Sequence, residues 1–377
     1  MDHEQKSENT FFSAVNITLF LLYVFTNSLF TWKYLEGYPI WMPLIGLVLL
    51  PAAAAVILFH KSGSVLRGPH WDTIYVLLVT ALAVFLTVIM FQFHPDQIAV
   101  GRYPALNDWL DHLMNGQYPY YSPTHPSGFP MIFFIALPFK LIGDIGFLQI
   151  LGFILFAGFI FHRYRYDVTG RLRLLLVLLI APAFMYEVAV RSELFTNMTL
   201  ILIYLNIYNR YNKKGGLWFS ILMGLLGGLL LSTRGIVGLI YIIFFGYLSR
   251  QDRLNPATTV ISVLIGFIVT LAPFIYWNSE YFFKYGPFTI QMGYLPSWLL
   301  IISILTAAAC SRVVNSMNRV YYATALILFG VVGATFVLTI FKTGFTAAVK
   351  GDQFDISYFC FSLPFILAAF HLPGHQA

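Results

Sequence analysis

Three side chains at helical spacing open the chemical reading of this chain. Asp108, Asp111 and His112 stand at i, i+3 and i+4, on one face of a helix that Gly116 would end. Carboxylates so placed can take the proton from an attacking hydroxyl or hold a divalent cation such as Mg2+ or Mn2+. The same spacing belongs to a solvated surface helix, and spacing alone favours that plainer reading. Asp96 follows the end of an apolar run, behind His94-Pro95, where an acid either solvates a helix end or does catalysis. His94, His112 and His125 lie near these acids but lack the HxH or HxxxH spacing of a zinc site. A divalent metal is thus the one cofactor these residues suggest.

The cations suggest an anion. Arg191 in Arg191-Ser-Glu193 and Arg234 in Ser-Thr-Arg-Gly each sit between apolar runs, as do Lys284, Lys342 and Lys350. A guanidinium offers a planar fork matched to phosphate, so Arg191 and Arg234 could hold a lipid-linked phosphate at a membrane edge. The structural alternative has them snorkelling at helix ends or pairing with Glu187 and Glu193. There is no Walker loop, no dinucleotide fingerprint after a strand and no GxSxG elbow, which argues against nucleotide-driven pumping and serine hydrolysis.

The elements that must position these residues are membrane helices. The 377-residue chain is 59% hydrophobic and only 10% charged, with a mean hydropathy of +0.76. A charge at the centre of a span costs about 2.5–3.5 kcal/mol, so the long charge-free runs read as spans. Apolar runs bounded by turn and charge signals fall near 12–31, 40–59, 72–93, 145–162, 173–188, 194–208, 217–232, 235–249, 257–277, 294–311, 320–341 and 354–371. The expectation is an all-α polytopic membrane protein of about twelve transmembrane helices. It forms a single transmembrane domain over 1–377, with a large first extracytoplasmic loop and a juxtamembrane helix over 94–143.

The run 131–143 is apolar but short and carries Pro138, so charge must decide whether it crosses. Lying on the outer surface, it leaves 14 of the 22 Lys and Arg on the cytoplasmic side; crossing, it leaves only 9 there. The positive-inside rule selects the surface position, with both termini cytoplasmic and ten of the sixteen acids outside. The polar start MDHEQKSENT lacks the basic region of a cleavable signal, so the first span is expected to target the chain. Cys310 and Cys360 fall in predicted spans as small packing residues. Asn16-Ile-Thr18 and Asn197-Met-Thr199 match the glycosylation triplet inside or beside apolar runs and are discounted. Gly224-Leu-Leu-Gly-Gly228 is read as close helix packing. The net charge of +6 is scattered in short clusters, which excludes a nucleic-acid stripe.

In this order along the chain, the motifs resemble the GT-C superfamily of integral membrane glycosyltransferases, especially its polyprenyl-phosphate-sugar-dependent, mannosyltransferase-like branches. Asn107-Asp108-Trp-Leu-Asp111-His-Leu-Met-Asn-Gly116-Gln-Tyr-Pro-Tyr120 looks like the acid-containing first loop and its turn. Pro126-Ser-Gly-Phe-Pro130 and the following apolar run look like the proline-rich step and juxtamembrane helix. Arg191-Ser-Glu193, Leu231-Ser-Thr-Arg234, Ala272-Pro-Phe-Ile-Tyr-Trp277 and Asp355-Ile-Ser-Tyr358 resemble later stretches of the family. The proline step here is Pro-Ser-Gly-Phe-Pro where the family more often has Tyr-Pro-Pro.

The resemblance implies an inverting transferase in a bacterial inner (plasma) membrane. Its partners would be a lipid-linked sugar donor, membrane lipids and a glycan, glycolipid or protein acceptor. Asp108, Asp96 or Asp111 is the expected catalytic acid, and Arg191, Arg234, Lys284 and Arg102 are the expected donor-phosphate ligands. Glu193, His112 and Tyr120 are expected to face the acceptor or substrate. A transporter or flippase, or a polymerase, of lipid-linked glycans is the alternative.

Overall fold

The structure, a computed structural model, describes residues 2–35, 37–60, 69–94, 101–124, 126–212, 215–251, 256–351 and 353–372. Among them every regular element is helical. That is what apolar sequence in a bilayer requires, since backbone N–H and C=O groups must be satisfied within the segment. Five helices are long and apolar enough to cross a membrane: Ala14–Tyr34, Trp41–Phe59, His70–Gln92, Thr258–Trp277 and Met317–Thr343. Two bent helix pairs bring the number to seven if each pair is one span. The chain is an α-helical integral membrane protein.

All twelve apolar runs are helical, but several are shorter or more broken than their hydropathy suggests. The run 173–188 is not one straight rod. It divides into Val168–Leu179 and Pro182–Ala189, bent by 65°. Pro182 is the cause, because the residue before a proline is pushed out of helical geometry, and Ala181 is extended (φ −79°, ψ 110°). The run 40–59 stays continuous through a five-residue π turn, Ile45–Leu49, directly before Pro51. The run 354–371 becomes a 3-10 segment, Ile356–Phe361, followed by the short helix Leu363–Ala369.

The main core surrounds the helix Leu194–Tyr211, whose apolar side chains Leu194, Phe195, Met198, Ile201 and Leu202 are fully buried. Asn197 is equally buried, so its glycosylation triplet is closed off. Leu217–Leu231 and Pro256–Trp277 approach through glycines, as expected. A Cβ on Gly228 would lie 2.2 Å from the Val263 carbonyl oxygen, and one on Gly224 would lie 2.9 Å from the Thr259 carbonyl oxygen. Cys310 and Cys360 are free, and Cys360 is buried among the packing residues.

A second, smaller core organises the first loop. Trp109 on the helix Arg102–Met114 stacks on Phe133 of the helix Pro130–Leu141 at 4.2 Å and 7°. Tyr120 meets Trp109, Phe133 and Phe282 edge-on. Pro130–Leu141 has 12 residues, about 18 Å of helix, well short of the ~30 Å hydrocarbon thickness. At its start, Met131 N–H bonds Ser232 C=O at 3.0 Å; just past its end, Asp144 pairs with Arg191 at 2.9 Å. The bonded partners of both ends lie in the turns that follow Pro182–Ala189 and Leu217–Leu231, two helices apart in the chain. That arrangement suits a helix lying along one face of the bundle.

Candidate functional site

The loop helix delivers the first of the site's side chains. Gly101, at φ 114°, turns the chain into Arg102–Met114, and Arg102 in its first turn points into a polar cavity of about 400 Å³. Its Nη1 donates to Asp355 Oδ2 at 2.6 Å and to Ser357 Oγ at 2.7 Å. Its guanidinium lies over the Tyr358 ring at 4.7 Å. On the other side, Arg102 Nε is 3.8 Å from Glu193 Oε1. Burial works against the Arg102 charge, yet Asp355, Tyr358, Glu193 and Glu187 more than offset it, and its pKa lies well above the usual guanidinium value.

Glu193 caps the start of Leu194–Tyr211 and is almost wholly buried. The same Oε1 accepts from Arg234 Nη2, and Arg234 Nη1 donates to Ser127 Oγ at 2.6 Å. Gln291 closes that corner, donating to the Ser127 carbonyl at 2.6 Å and accepting from Gly235 N–H at 3.0 Å. Asp355, Arg102, Glu193 and Arg234 thus form a row of alternating charge along the cavity wall, with Lys33 also lining it. Glu193 Oε2 and the Nε of both arginines have no hydrogen-bond partner among the described residues. A buried polar atom left so costs about 1–3 kcal/mol, and an incoming anion would satisfy the two donors.

A second cavity of about 410 Å³ adjoins the first. Its lining is almost entirely apolar, with Phe129, Ile242, Phe267, Leu300 and Val331 among its walls. Arg234, Phe354 and Tyr358 line both cavities. One continuous surface therefore passes from paired charges to hydrocarbon across a single arginine.

Of the residues singled out by sequence, Arg102, Arg234 and Glu193 meet here. Among the described residues, Asp108, Asp111, His112, Tyr120, Arg191 and Lys284 do not line either cavity. Arg191 is turned away and buried: its Nε bonds Asp144 Oδ2 at 2.9 Å, its Nη1 donates to the Phe93 carbonyl at 3.0 Å, and its guanidinium lies over Tyr103. Asp111 pairs with Lys140 at 3.0 Å, and Asn107 shares that ammonium at 2.9 Å. Asp108 accepts from Ser122 Oγ at 3.3 Å, while His112 Nδ1 donates to the Asp108 carbonyl at 2.8 Å. Tyr120 donates to the Gly128 carbonyl at 3.1 Å, and burial pushes its phenol well above the ordinary value, so it stays neutral within the aromatic core. Lys284 is exposed beside the Tyr285 ring. Asp96 and His125 lie outside the described residues. No group of three His, Cys, Asp or Glu side chains able to hold a metal gathers among the described residues.

The sequence offers no functional signal for Gln291 or Lys33. Ser127, Asp355 and Ser357 fall in stretches that carry the family resemblance, 126–130 and 355–358, but neither stretch marks them as site residues, and Asp355 is otherwise one of ten acids expected outside. Compared with family models, curated proteins and solved structures, the chain matches none.

Proposed function

We propose that the chain is a GT-C-like membrane glycosyltransferase that takes a sugar from a polyprenyl-phosphate donor. It passes the sugar to a cell-envelope glycan, glycolipid or protein acceptor on the extracytoplasmic face. In this reading the chain has twelve spans and cytoplasmic termini, and it sits in a bacterial inner membrane. The observation that carries the proposal is the junction of a charged cavity and an apolar one at Arg234. A substrate with a phosphate head and a hydrocarbon tail is the chemistry such a junction suits. The motif order along the chain supports the same class.

The reaction is a displacement at the anomeric carbon. A carboxylate takes the acceptor hydroxyl proton, the new glycosidic bond forms, and the C1–O bond to phosphate breaks with its electron pair leaving on the lipid phosphate. Arg102 and Arg234 would stabilise that departing charge, a contribution typically worth 10²- to 10³-fold per donor group. The test uses the purified chain in nanodiscs with a panel of farnesyl-phosphoryl hexoses carrying radiolabelled sugar. Transfer to an acceptor is expected, falling about 100-fold in Arg234→Lys, which keeps the charge but loses the fork. Movement of intact donor across the bilayer with no new bond formed would replace this reading with a flippase.

A further inference from the structure

In the row Asp355, Arg102, Glu193, Arg234 each guanidinium already holds a carboxylate, so a phosphate that takes the fork of Arg102 or Arg234 competes with one of these carboxylates. The two are not equally held. Glu193 is 1% exposed and contacts both arginines, whereas the Asp355 side chain is 40% exposed toward the cavity and contacts Arg102 alone. Freeing Glu193 would strand an unpaired charge in the interior; freeing Asp355 leaves a carboxylate that water can solvate. Asp355 is also kept in place once released, because its Oδ1 accepts from Ser357 N–H at 2.9 Å, a bond in which Arg102 takes no part, and from Ser357 Oγ at 2.6 Å.

We infer that Asp355 is an internal stand-in for the donor phosphate and, once displaced, the catalytic base of the transfer. This rests on the donor reading above. Donor binding moves Arg102 from Asp355 to the phosphate oxygens. The freed carboxylate, still held by Ser357 on the cavity wall, accepts the proton of the acceptor hydroxyl as its oxygen bonds to the anomeric carbon and the lipid phosphate departs toward Arg102 and Arg234. The base is thereby uncovered only when donor is present, which ties activation of the hydroxyl to occupancy of the phosphate site.

The arrangement predicts opposite shifts in binding and turnover from one substitution. In the full chain in nanodiscs, Asp355→Asn removes the competing anion and should bind farnesyl phosphate roughly three- to tenfold more tightly. The same variant should transfer sugar at least about 100-fold more slowly. Arg102→Ala should lose farnesyl phosphate binding, and Glu280→Gln, an exposed acid away from both cavities, should leave it unchanged. If the Asn form does not fold, Asp355→Ser, which can still bond the Ser357 N–H, takes its place. Affinity unchanged or weakened, or transfer within a few-fold of wild type, overturns the assignment. A wild-type chain that neither binds farnesyl phosphate nor transfers sugar overturns the donor reading itself; wild-type binding and transfer without the opposite shifts overturns only the role of Asp355.

Discussion

Arg191 holds its backbone at φ 54°, the one non-glycine residue among those described with a positive φ. That conformation costs about 1–3 kcal/mol and persists only where surroundings over-determine it. Here they do: the guanidinium ties Asp144 at the head of the helix Phe147–Arg163, the Phe93 carbonyl after Pro69–Gln92, and the face of Tyr103 on the loop helix. Arg191→Ala should therefore destabilise the protein by about 3–5 kcal/mol, because Asp144 is left buried and uncompensated. Asp144→Ala added to it should recover part of that loss, and thermal unfolding of both proteins in detergent measures the difference. A double variant no more stable than the single one would show that Asp144 is not the charge being compensated. Sequence places Arg191 and Arg234 alike, each between two apolar runs, and both read as phosphate ligands. What separates them is the partner, and partners arise from packing: Asp144 lies 47 residues from Arg191, and Asp355 lies 253 residues from Arg102. A single sequence carries the residue type and its side of the membrane, but not that pairing.

At the scale of elements, the glycines of Leu217–Leu231 link packing to the site. A Cβ on Gly228 would meet the Val263 carbonyl oxygen at 2.2 Å, Phe267 N at 2.7 Å and Gly266 Cα at 2.8 Å, all backbone atoms that cannot rotate away. Gly228→Ala must push Leu217–Leu231 off Pro256–Trp277, at roughly 1–3 kcal/mol for such overpacking. Since Arg234 lies just past the end of the first of these helices, the shift should also weaken farnesyl phosphate binding. Gly158→Ala is the contrast: a Cβ there meets nothing within 4 Å, so the substitution should stabilise by about 0.5–1 kcal/mol through helix propensity. Thermal unfolding of the two variants, with binding measured alongside, checks both directions. The small-residue spacing made this contact legible in advance, as hydropathy made the helices legible. The 65° bend at Pro182 and the 3-10 segment Ile356–Phe361 were not, because a window of apolar residues averages over the local backbone breaks that decide whether a run is one rod.

At the scale of the molecule, the cavity gathers side chains from separate inter-helix segments: Lys33, Arg102, Ser127, Glu193, Arg234, Ile290 and Asp355. Counting basic residues assigned every one of those segments to the same side of the membrane, and did so only when 131–143 lay along the surface. If 131–143 crossed, Arg102 and Glu193 would be a membrane apart, yet their side chains are 3.8 Å from each other. That contact supports the surface position of 131–143 if the runs 145–162 and 173–188 each cross once. The proposed direction rests on charge bias, which with 131–143 along the surface assigns 14 of the 22 basic residues to the cytoplasmic side. With Cys310 and Cys360 replaced, Met114→Cys and Lys284→Cys should react in intact cells with a membrane-impermeant maleimide, because both positions are exposed and belong to segments that the charge bias assigns to the outer side. Tyr166→Cys, 75% exposed between Phe147–Arg163 and Val168–Leu179, should react only after the membrane is opened. Labelling in the reverse pattern would place the charged cavity on the cytoplasmic face, where an extracytoplasmic acceptor could not reach it, and the proposed direction of sugar transfer would fall with it.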